Sequence, residues 1–427
     1  MPDLDAITGQ VVAELLARSH LLAPDELADM LARYARPLGV SAARIYLADL
    51  EQHDLRALPG GGTPSPAVLP IDSTVAGQAF RRVATQYGPA VGAGQRHIWI
   101  PLVDGTERLG VLELIARDAG ADSAALLARY RTLASLTGLM VVSKSSYSDT
   151  YARTRRSRPM AVQAELVWAF LGPRTFATDQ VLVAATLEPA YEVGGDAFDY
   201  SMLGDHLHVS IFDAVGHDLA AGLLASVGLA SCRSTRRAGG SLPDVAARAD
   251  EAIAQQFGES RFVTALLCDL DVGTGLFSWI PCGHPPPLLI RGNRVIRELS
   301  RLPQLPLGLA DLDLLTGFGA ESAGPGQQAP VYTERLAPGD RLLLYTDGII
   351  EGQAPDGRSF GMQRLTDFFL WDGNGRTPAP ETLRQLNRAI TDFQHGRLSD
   401  DATIVMVEWR PAQLERELTP QARDGEA

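Results

Sequence analysis

Four acidic clusters in the C-terminal half carry the residue types best suited to chemistry. They read Glu-Val-Gly-Gly-Asp (192–196), Ile-Phe-Asp-Ala (211–214), Tyr-Thr-Asp-Gly (345–348) and Ser-Asp-Asp-Ala-Thr (399–403). Asp213, Asp347 and Asp400 each sit at the edge of an apolar, strand-like run, and Asp196 follows a Gly-Gly pair that allows a tight turn. Carboxylates are costly beside a sheet unless something positive compensates them. Several converging from strand ends suit magnesium or manganese, which prefer oxygen ligands. Two such ions ~3.5–4 Å apart, held by shared carboxylates, would clamp and polarise a bridging water. A single aspartate reads as a turn or helix cap; the four clusters together, in matching contexts, read as the site of a metal-dependent hydrolase.

The elements that must position these residues lie within 181–410. Strands are expected at 181–186, 207–213, 262–271, 276–281, 288–291, 341–346 and 402–409, and helices at 219–236, 242–257, 362–371 and 380–394. Asp-Val-Gly-Thr-Gly at 271–275 reads as a hairpin turn. Closely spaced strands with clustered helices predict α+β sheet layers flanked by helices, not a βαβ winding. Residues 311–330, with four glycines, read as a mobile insertion, and 411–427 as a charged, frayed tail.

Ahead of this half, residues 1–143 form a separate α+β domain. Apolar positions at helical spacing (Val11, Leu15, Leu16, then Leu27, Met30, Leu31, Tyr34) are interrupted near Pro24. Strands are expected at 43–48, 97–103 and 109–115, the last two joined by Asp104-Gly105, with helices at 74–83 and 123–142. Residues 144–180 join the halves: a polar stretch, then Val162, Leu166, Val167 and Phe170 at helical spacing, ended by Pro173.

Composition excludes several classes. A chain of 427 residues suits two or three domains, and 45% hydrophobic with 21% charged residues is a globular balance. A net charge of -13 argues against nucleic acid as a partner, and the run Arg153, Arg155, Arg156 and Arg158 reads as a solvated face. Cys232, Cys268 and Cys282 lack metal-type spacing; Cys268 and Cys282 read as buried thiols in a reducing compartment. No signal peptide and no apolar stretch near the ~20 residues of a membrane span are evident, so the expected location is cytoplasmic, with no membrane partner.

Two resemblances follow. The helix before 43–48, Ser73-Thr74-Val75-Ala76-Gly77-Gln78-Ala79-Phe80, and Ile98-Trp99-Ile100-Pro101-Leu102-Val103 followed by Leu109-Gly110-Val111-Leu112-Glu113-Leu114 resemble a GAF domain. That implies a sensory fold with a central antiparallel sheet that binds a small molecule or serves in dimerisation; no cysteine is present there to attach a chromophore. Residues 181–409 resemble metal-dependent serine/threonine phosphatases of the 2C type, in the branch of stage II sporulation protein E. The matching stretches are Val193-Gly194-Gly195-Asp196 with Asp199, Asp213-Ala214-Val215-Gly216-His217, Phe262-Val263-Thr264-Ala265, Cys282-Gly283-His284-Pro285-Pro286-Pro287-Leu288, Tyr345-Thr346-Asp347-Gly348-Ile349-Ile350-Glu351 and Asp400-Asp401-Ala402-Thr403.

This second resemblance implies an α-β-β-α sandwich, two Mn2+ or Mg2+ ions, and hydrolysis of phosphoserine or phosphothreonine in a protein. It further implies that Asp213 bridges both ions, Asp347 and Asp400 complete one shell, Asp196 serves the other partly through water, and the Ala214 carbonyl is a ligand. Asp401 would orient its neighbour, and Asp199 would support. The implied substrate is a phosphorylated anti-sigma-factor antagonist in a partner-switching pathway. A signal at the first domain would arrive through 144–180, by helix packing across a homodimer. Two positions depart from the pattern. Asp218 follows Gly216-His217 where relatives often have glycine, and Val215 stands where eukaryotic relatives have a histidine proposed as general acid. His217 is offset from that place, and His284 is expected to be structural, satisfied by the backbone. The competing readings are a non-catalytic docking module with a vestigial site, and hydrolysis of a small phosphate ester; for the latter no Gly-rich phosphate loop with lysine is present.

Overall fold

The computed structural model describes residues 4–60, 68–91, 94–117, 123–258, 261–292, 294–309, 329–371, 377–396 and 398–410. They divide into two compact units that part between Pro159 and Met160. This division falls inside the stretch 144–180 expected as a linker.

The first unit contains helices α1 (Leu4–Ser19), α2 (Leu27–Ala35), α3 (Val75–Arg82), α4 (Ser123–Ser145) and α5 (Asp149–Arg155). Its strands are β1 (Val40–Ala48), β2 (Asp54–Ala57), β3 (Val68–Pro70), β4 (Gln86–Ala90), β5 (Gln95–Asp104) and β6 (Glu107–Arg117). They form one antiparallel sheet in the order β3-β2-β1-β6-β5-β4. Strand alternation assigns its faces. Ile45, Leu47, Ile98, Ile100, Leu112 and Leu114 enter a core with α1, α2 and α4, whereas Tyr46, Trp99 and Val111 pack with Ala76, Ala79 and Phe80 of α3. Ala124–Ser145 is long and apolar enough to cross a membrane, contrary to the expectation of no such stretch. Tyr130, Leu133, Ala134, Leu136, Met140 and Val141 of that helix are nonetheless buried in this core.

The second unit begins with α6 (Val162–Phe170). It continues with β7 (Thr175–Ala177), β8 (Val181–Glu188), β9 (Asp196–Leu203), β10 (His206–Ala214), α7 (Leu219–Arg237) and α8 (Leu242–Phe257). Next come β11 (Val263–Asp271), β12 (Leu276–Cys282), β13 (Leu288–Arg291), β14 (Arg294–Glu298), β15 (Tyr332–Arg335) and β16 (Arg341–Tyr345). The unit closes with α9 (Asp347–Glu351), α10 (Gly361–Trp371), α11 (Ala379–Phe393) and β17 (Ala402–Trp409). Two antiparallel sheets result, ordered β15-β12-β11-β10-β9 and β14-β13-β16-β17-β8-β7.

The second sheet is apolar on both faces, which explains the uninterrupted apolar runs of β8, β16 and β17. Val183, Leu342, Leu344, Val405 and Val407 face the first sheet, while Leu182, Leu343, Ile404 and Met406 pack on α10 and α11. Helices α7 and α8 cover the other side of the first sheet, giving the expected α+β architecture with four layers, α-β-β-α.

Several expectations shift. β9 was not anticipated: Asp196 is its first residue, not the end of a turn. On α6 the buried residues are Ala164 and Val167, with Trp168 and Phe170 packed partly beneath, and Val162 is exposed although its spacing placed it on the apolar face. All three cysteines are buried free thiols, Cys232 included. The hairpin at 271–275 forms, its turn fixed by Asp271 accepting from the Gly273 and Thr274 amides. Residues 310–328 and 411–427, which include nearly all of the expected insertion and the tail, lie outside the described residues.

Candidate active site

The acidic residues are assembled by strand register. On adjacent strands β9 and β10, Asp196 stands directly opposite Asp213, and Asp213 is opposite Thr264 of β11 on its other side. Residues directly opposite on antiparallel strands have Cβ atoms about 4.5–5.5 Å apart, so the two carboxylates are cross-strand neighbours. The other sheet supplies the remainder: Asp347 starts α9 at the end of β16, and Asp400 and Asp401 precede β17.

Hydrogen bonds fix this frame. Thr346 Oγ1 donates to Asp196 Oδ2 at 2.8 Å and accepts from the Thr403 amide at 2.9 Å, tying β9 to β16 and β17. Asp401 Oδ2 accepts from the amides of Gly194 (2.8 Å), Gly195 (2.7 Å) and Asp196 (3.3 Å). Asp401 therefore orients the loop that presents Asp196, beyond the expected role toward its neighbour Asp400, whose Oδ1 accepts from the Asp401 amide at 2.8 Å.

Close backbone approach explains the glycines. A Cβ on Gly195 would lie 2.4 Å from the Ala214 carbonyl oxygen, and one on Gly348 would lie 1.9 Å from the Asp401 carbonyl oxygen. Gly195 is thus required because the loop before β9 presses on the loop after β10; a left-handed turn, the other reason for glycine, is not used there.

Electrostatics set the cluster apart. Burial pushes the Asp213 carboxyl up to about 7, and the charges of Asp347, Asp400, Asp401 and Glu351 add to it. Asp196, 1% exposed, is raised well above the usual carboxylate range by burial and then by Asp213 and Asp401. Asp347 is raised by burial, Glu351 and Asp400, and Asp401 by burial that outweighs its three amide donors. Each cause is desolvation or like charge, the two conditions a divalent cation relieves. Among the described residues, no three His, Cys, Asp or Glu side chains already close into a metal sphere. The all-oxygen donor set is nonetheless the kind that hard cations take.

The structure sets Asp213 under the charges of Asp347 and Asp400 and beside Asp196, which in turn feels Asp213 and Asp401, with the Ala214 backbone beside Gly195. It removes Asp199 from them. Asp199 accepts from Arg233 at 2.8 Å and Arg236 at 3.1 Å on α7. His284 is buried, and burial pushes its imidazole down to about 3; Nδ1 lies 2.9 Å from Thr264 Oγ1, a side-chain partner additional to the expected backbone one, which Tyr345 supplies. His217 and Val215 lie on an exposed loop. Two residues escaped sequence reasoning. Glu351 lies one helical turn after Asp347, and that spacing was its available signal. Thr346 is a hydroxyl next to a candidate ligand, with no signal beyond adjacency.

Comparison with known proteins bears on this unit. Residues 204–410 match the family described as Stage II sporulation protein E (SpoIIE). Protein IcfG of Synechocystis sp. is 23% identical over 253 residues, covering 53% of this chain and 37% of that protein. The phosphoserine phosphatase RsbU of Bacillus subtilis is 18% identical over 248 residues, covering 58% of this chain and 68% of RsbU. The chain thus spans little more than a third of the first relative's length. Among solved structures, the RsbU and RsbW domains of a Mycobacterium tuberculosis protein align at 26% identity and a TM-score of 0.44, covering 54% of this chain and 62% of that one.

Proposed function

We propose, from the premise that residues 204–410 belong to a SpoIIE-type PP2C phosphatase domain, that this protein is a signal-regulated protein-serine/threonine phosphatase. Its proposed substrate is a phosphorylated anti-sigma-factor antagonist of a partner-switching pathway. The observation that carries the reading is the register pair of buried Asp196 and half-buried Asp213, gathered with Asp347, Asp400 and Asp401 as like charges.

In this reading Asp196, Asp213, Asp347, Asp400 and the Ala214 carbonyl would hold two Mn2+ or Mg2+ ions. The ions would supply a water polarised for attack and charge to offset that gathering on the phosphoryl group. The chain's own residues do the positioning. Thr346 fixes one oxygen of Asp196, Asp401 fixes the loop before it, and the packing of Gly195 on Ala214 sets how closely the two loops approach. Proton delivery to the leaving serine falls to water or another group, since Val215 has no titratable group and burial keeps His284 neutral.

The first unit is proposed to be a GAF-like sensor in a cytoplasmic homodimer. Its signal would enter the phosphatase through α6, which is seated beside the site. The Ala161 amide donates to the Tyr191 carbonyl at 2.8 Å, Trp168 Nε1 donates to the Ala190 carbonyl at 2.7 Å, and Gln163 lies against Gly222 of α7. Leu166→Asp on this helix should uncouple activity from the signal; unchanged regulation would sink the route.

The decisive experiment incubates purified protein and Mn2+ with phosphorylated antagonist proteins. Release of phosphate that disappears in Asp213→Ala and Asp347→Asn is expected. Absence of metal-dependent turnover on every phosphoprotein, and on p-nitrophenyl phosphate, would overturn the proposal and leave a docking module.

A further inference from the structure

Asp218, the residue that departs from the usual glycine, is tied to Arg261 by a two-pronged ion pair. Arg261 Nη1 donates to Asp218 Oδ1 and Nη2 to Oδ2, both at 3.0 Å. Asp218 Oδ1 also accepts from the Ala221 amide at 2.9 Å and caps α7. The cap needs one carboxylate oxygen, so it does not account for the second prong. Stability accounts for it no better, because solvent-screened ion pairs contribute little, and the side chains are 57% exposed for Asp218 and 31% for Arg261.

Position gives the fork a meaning. The ladder that pairs Asp213 with Thr264 continues as Ala214 opposite Val263 and ends with the Val215 amide on the Phe262 carbonyl at 3.1 Å. Arg261 is the next residue. Its Nη1 lies 3.8 Å from where a Cβ on Gly216 would be, so the guanidinium rests on the loop that leaves Asp213. The same loop, at Ala214 and Gly216, presses on Gly195, whose amide is held by Asp401. One turn of backbone therefore separates this cation from the acidic centre.

Arg261 gives two of its five N–H groups to Asp218, in a geometry that fixes the plane of the guanidinium. A planar, pre-oriented guanidinium suits phosphate or carboxylate oxygens. An anionic substrate approaching a site built from aspartates gains most from a cation at its entrance, both in encounter and in holding.

We propose that Arg261 is a substrate-binding residue at the rim of the acidic site, held in place by Asp218. It would take an anionic oxygen of the phosphoprotein, either from the phosphoryl group or from an acidic side chain beside the phosphoserine. This rests on the phosphatase reading above. The test uses the full-length protein with Mn2+ and three substrates: p-nitrophenyl phosphate, a phosphoserine peptide with neutral flanks, and the same peptide with acidic flanks. Arg261→Ala should raise KM about tenfold with kcat within about twofold, and Asp218→Asn should raise it about threefold. A rise on all three substrates assigns the phosphoryl group; a rise on the acidic peptide alone assigns the flanking side chain. KM within twofold of wild type on all three, or a fall in kcat alone, overturns the proposal. Where Arg261→Ala fails to fold, Arg261→Lys, which keeps the charge and loses the fork, must show the same KM rise, and its absence overturns the proposal. Where wild type turns over none of the substrates, the phosphatase reading fails by itself. Fluorescence anisotropy with labelled phosphoserine peptides then reads Arg261 directly, and equal affinity of wild type and Arg261→Ala overturns its role.

Discussion

Strand β9 holds two buried aspartates three residues apart, and they point to opposite faces of one sheet. Asp199 faces α7 and is neutralised by Arg233 and Arg236. Asp196 faces the other sheet and meets Asp213 and Asp401, with a threonine hydroxyl as its nearest donor. The same contrast runs through the second unit. Glu408 is buried against Arg341 and Arg410, and Glu381 against Arg384, while Asp213 is surrounded by Asp347, Asp400, Asp401 and Glu351. Burial alone therefore does not mark a functional carboxylate. What marks it is burial among like charges, where the fold leaves the compensation to something that binds.

The largest effect should come from removing the centre of the uncompensated set. Asp213→Asn keeps shape and deletes one charge, and Mn2+-dependent hydrolysis of p-nitrophenyl phosphate should fall about 10³-fold or more. The melting temperature of the metal-free variant should hold or rise, because a half-buried like charge has gone. A loss of activity accompanied by unfolding would place Asp213 with Asp199 as structural.

Metal and pH sharpen the same contrast. In the folded protein Asp213 is raised to about 7, and Asp196 and Asp347 are raised as well. The fold thus keeps protons that the unfolded chain releases near pH 4, where free aspartate titrates. The raised acids therefore contribute a loss of metal-free stability as pH rises from about 4 through about 7, and buried His284, lowered to about 3, contributes a gain over part of the same range, so the acid contribution is read as the difference between wild type and Asp213→Asn. Adding Mn2+ at pH 8 should recover about 2.7 kcal/mol when the ion is present at 100 times its Kd. Thermal melts of wild type and Asp213→Asn across pH, with and without Mn2+, check both signs, and wild type should lose stability relative to Asp213→Asn as pH rises from about 4 to about 7. A difference between wild type and Asp213→Asn that does not change between about pH 4 and about 7 would mean that Asp213 is compensated.

Asp199→Asn should do the opposite. It leaves Arg233 and Arg236, each less than a quarter exposed, without their anion. Loss of one partner of a buried pair costs about 3 kcal/mol, so a drop of several degrees in melting temperature is expected. The Mn2+ concentration giving half-maximal activity should barely change, and a large shift in it would draw Asp199 into the metal site.

How much of this contrast was legible in the sequence depends on the range of the contacts. β8, β16 and β17 read clearly because both of their faces are apolar, and α7, α8 and α11 because their periodicity is local. β9 did not read as a strand: its sequence, Asp-Ala-Phe-Asp-Tyr-Ser-Met-Leu, has polar residues whose partners lie on α7 and at Thr346, just after β16. Without the strand, neither the opposition of Asp196 to Asp213 nor the separation of Asp199 from them could be deduced. The short strands β2, β3, β4, β14 and β15 likewise owe their pairing to neighbours rather than to pattern. On α6, spacing alone placed Val162 inward, whereas contact with the 190–191 backbone decides that Ala164 and Val167 are buried.

The smallest effect should come from Thr346, a neutral donor to Asp196 on the side that has no arginines. Its hydroxyl donates to Asp196 and accepts from the Thr403 amide. Thr346→Val keeps the volume but leaves that buried amide without an acceptor, which costs about 1–2 kcal/mol. It also removes a donor that lowers the Asp196 carboxyl, so Asp196 must rise further. Ionisation of Asp196 then needs a higher pH, and the acid limb of the kcat/KM profile should move upward while the plateau falls only severalfold. Thr346→Ser restores both hydrogen bonds and should return the limb to its wild-type position with a small loss of packing. If Thr346→Val lowers the plateau and leaves the limb in place, Thr346 acts through packing alone, and the carboxylate facing it does not titrate in the steps that limit the rate.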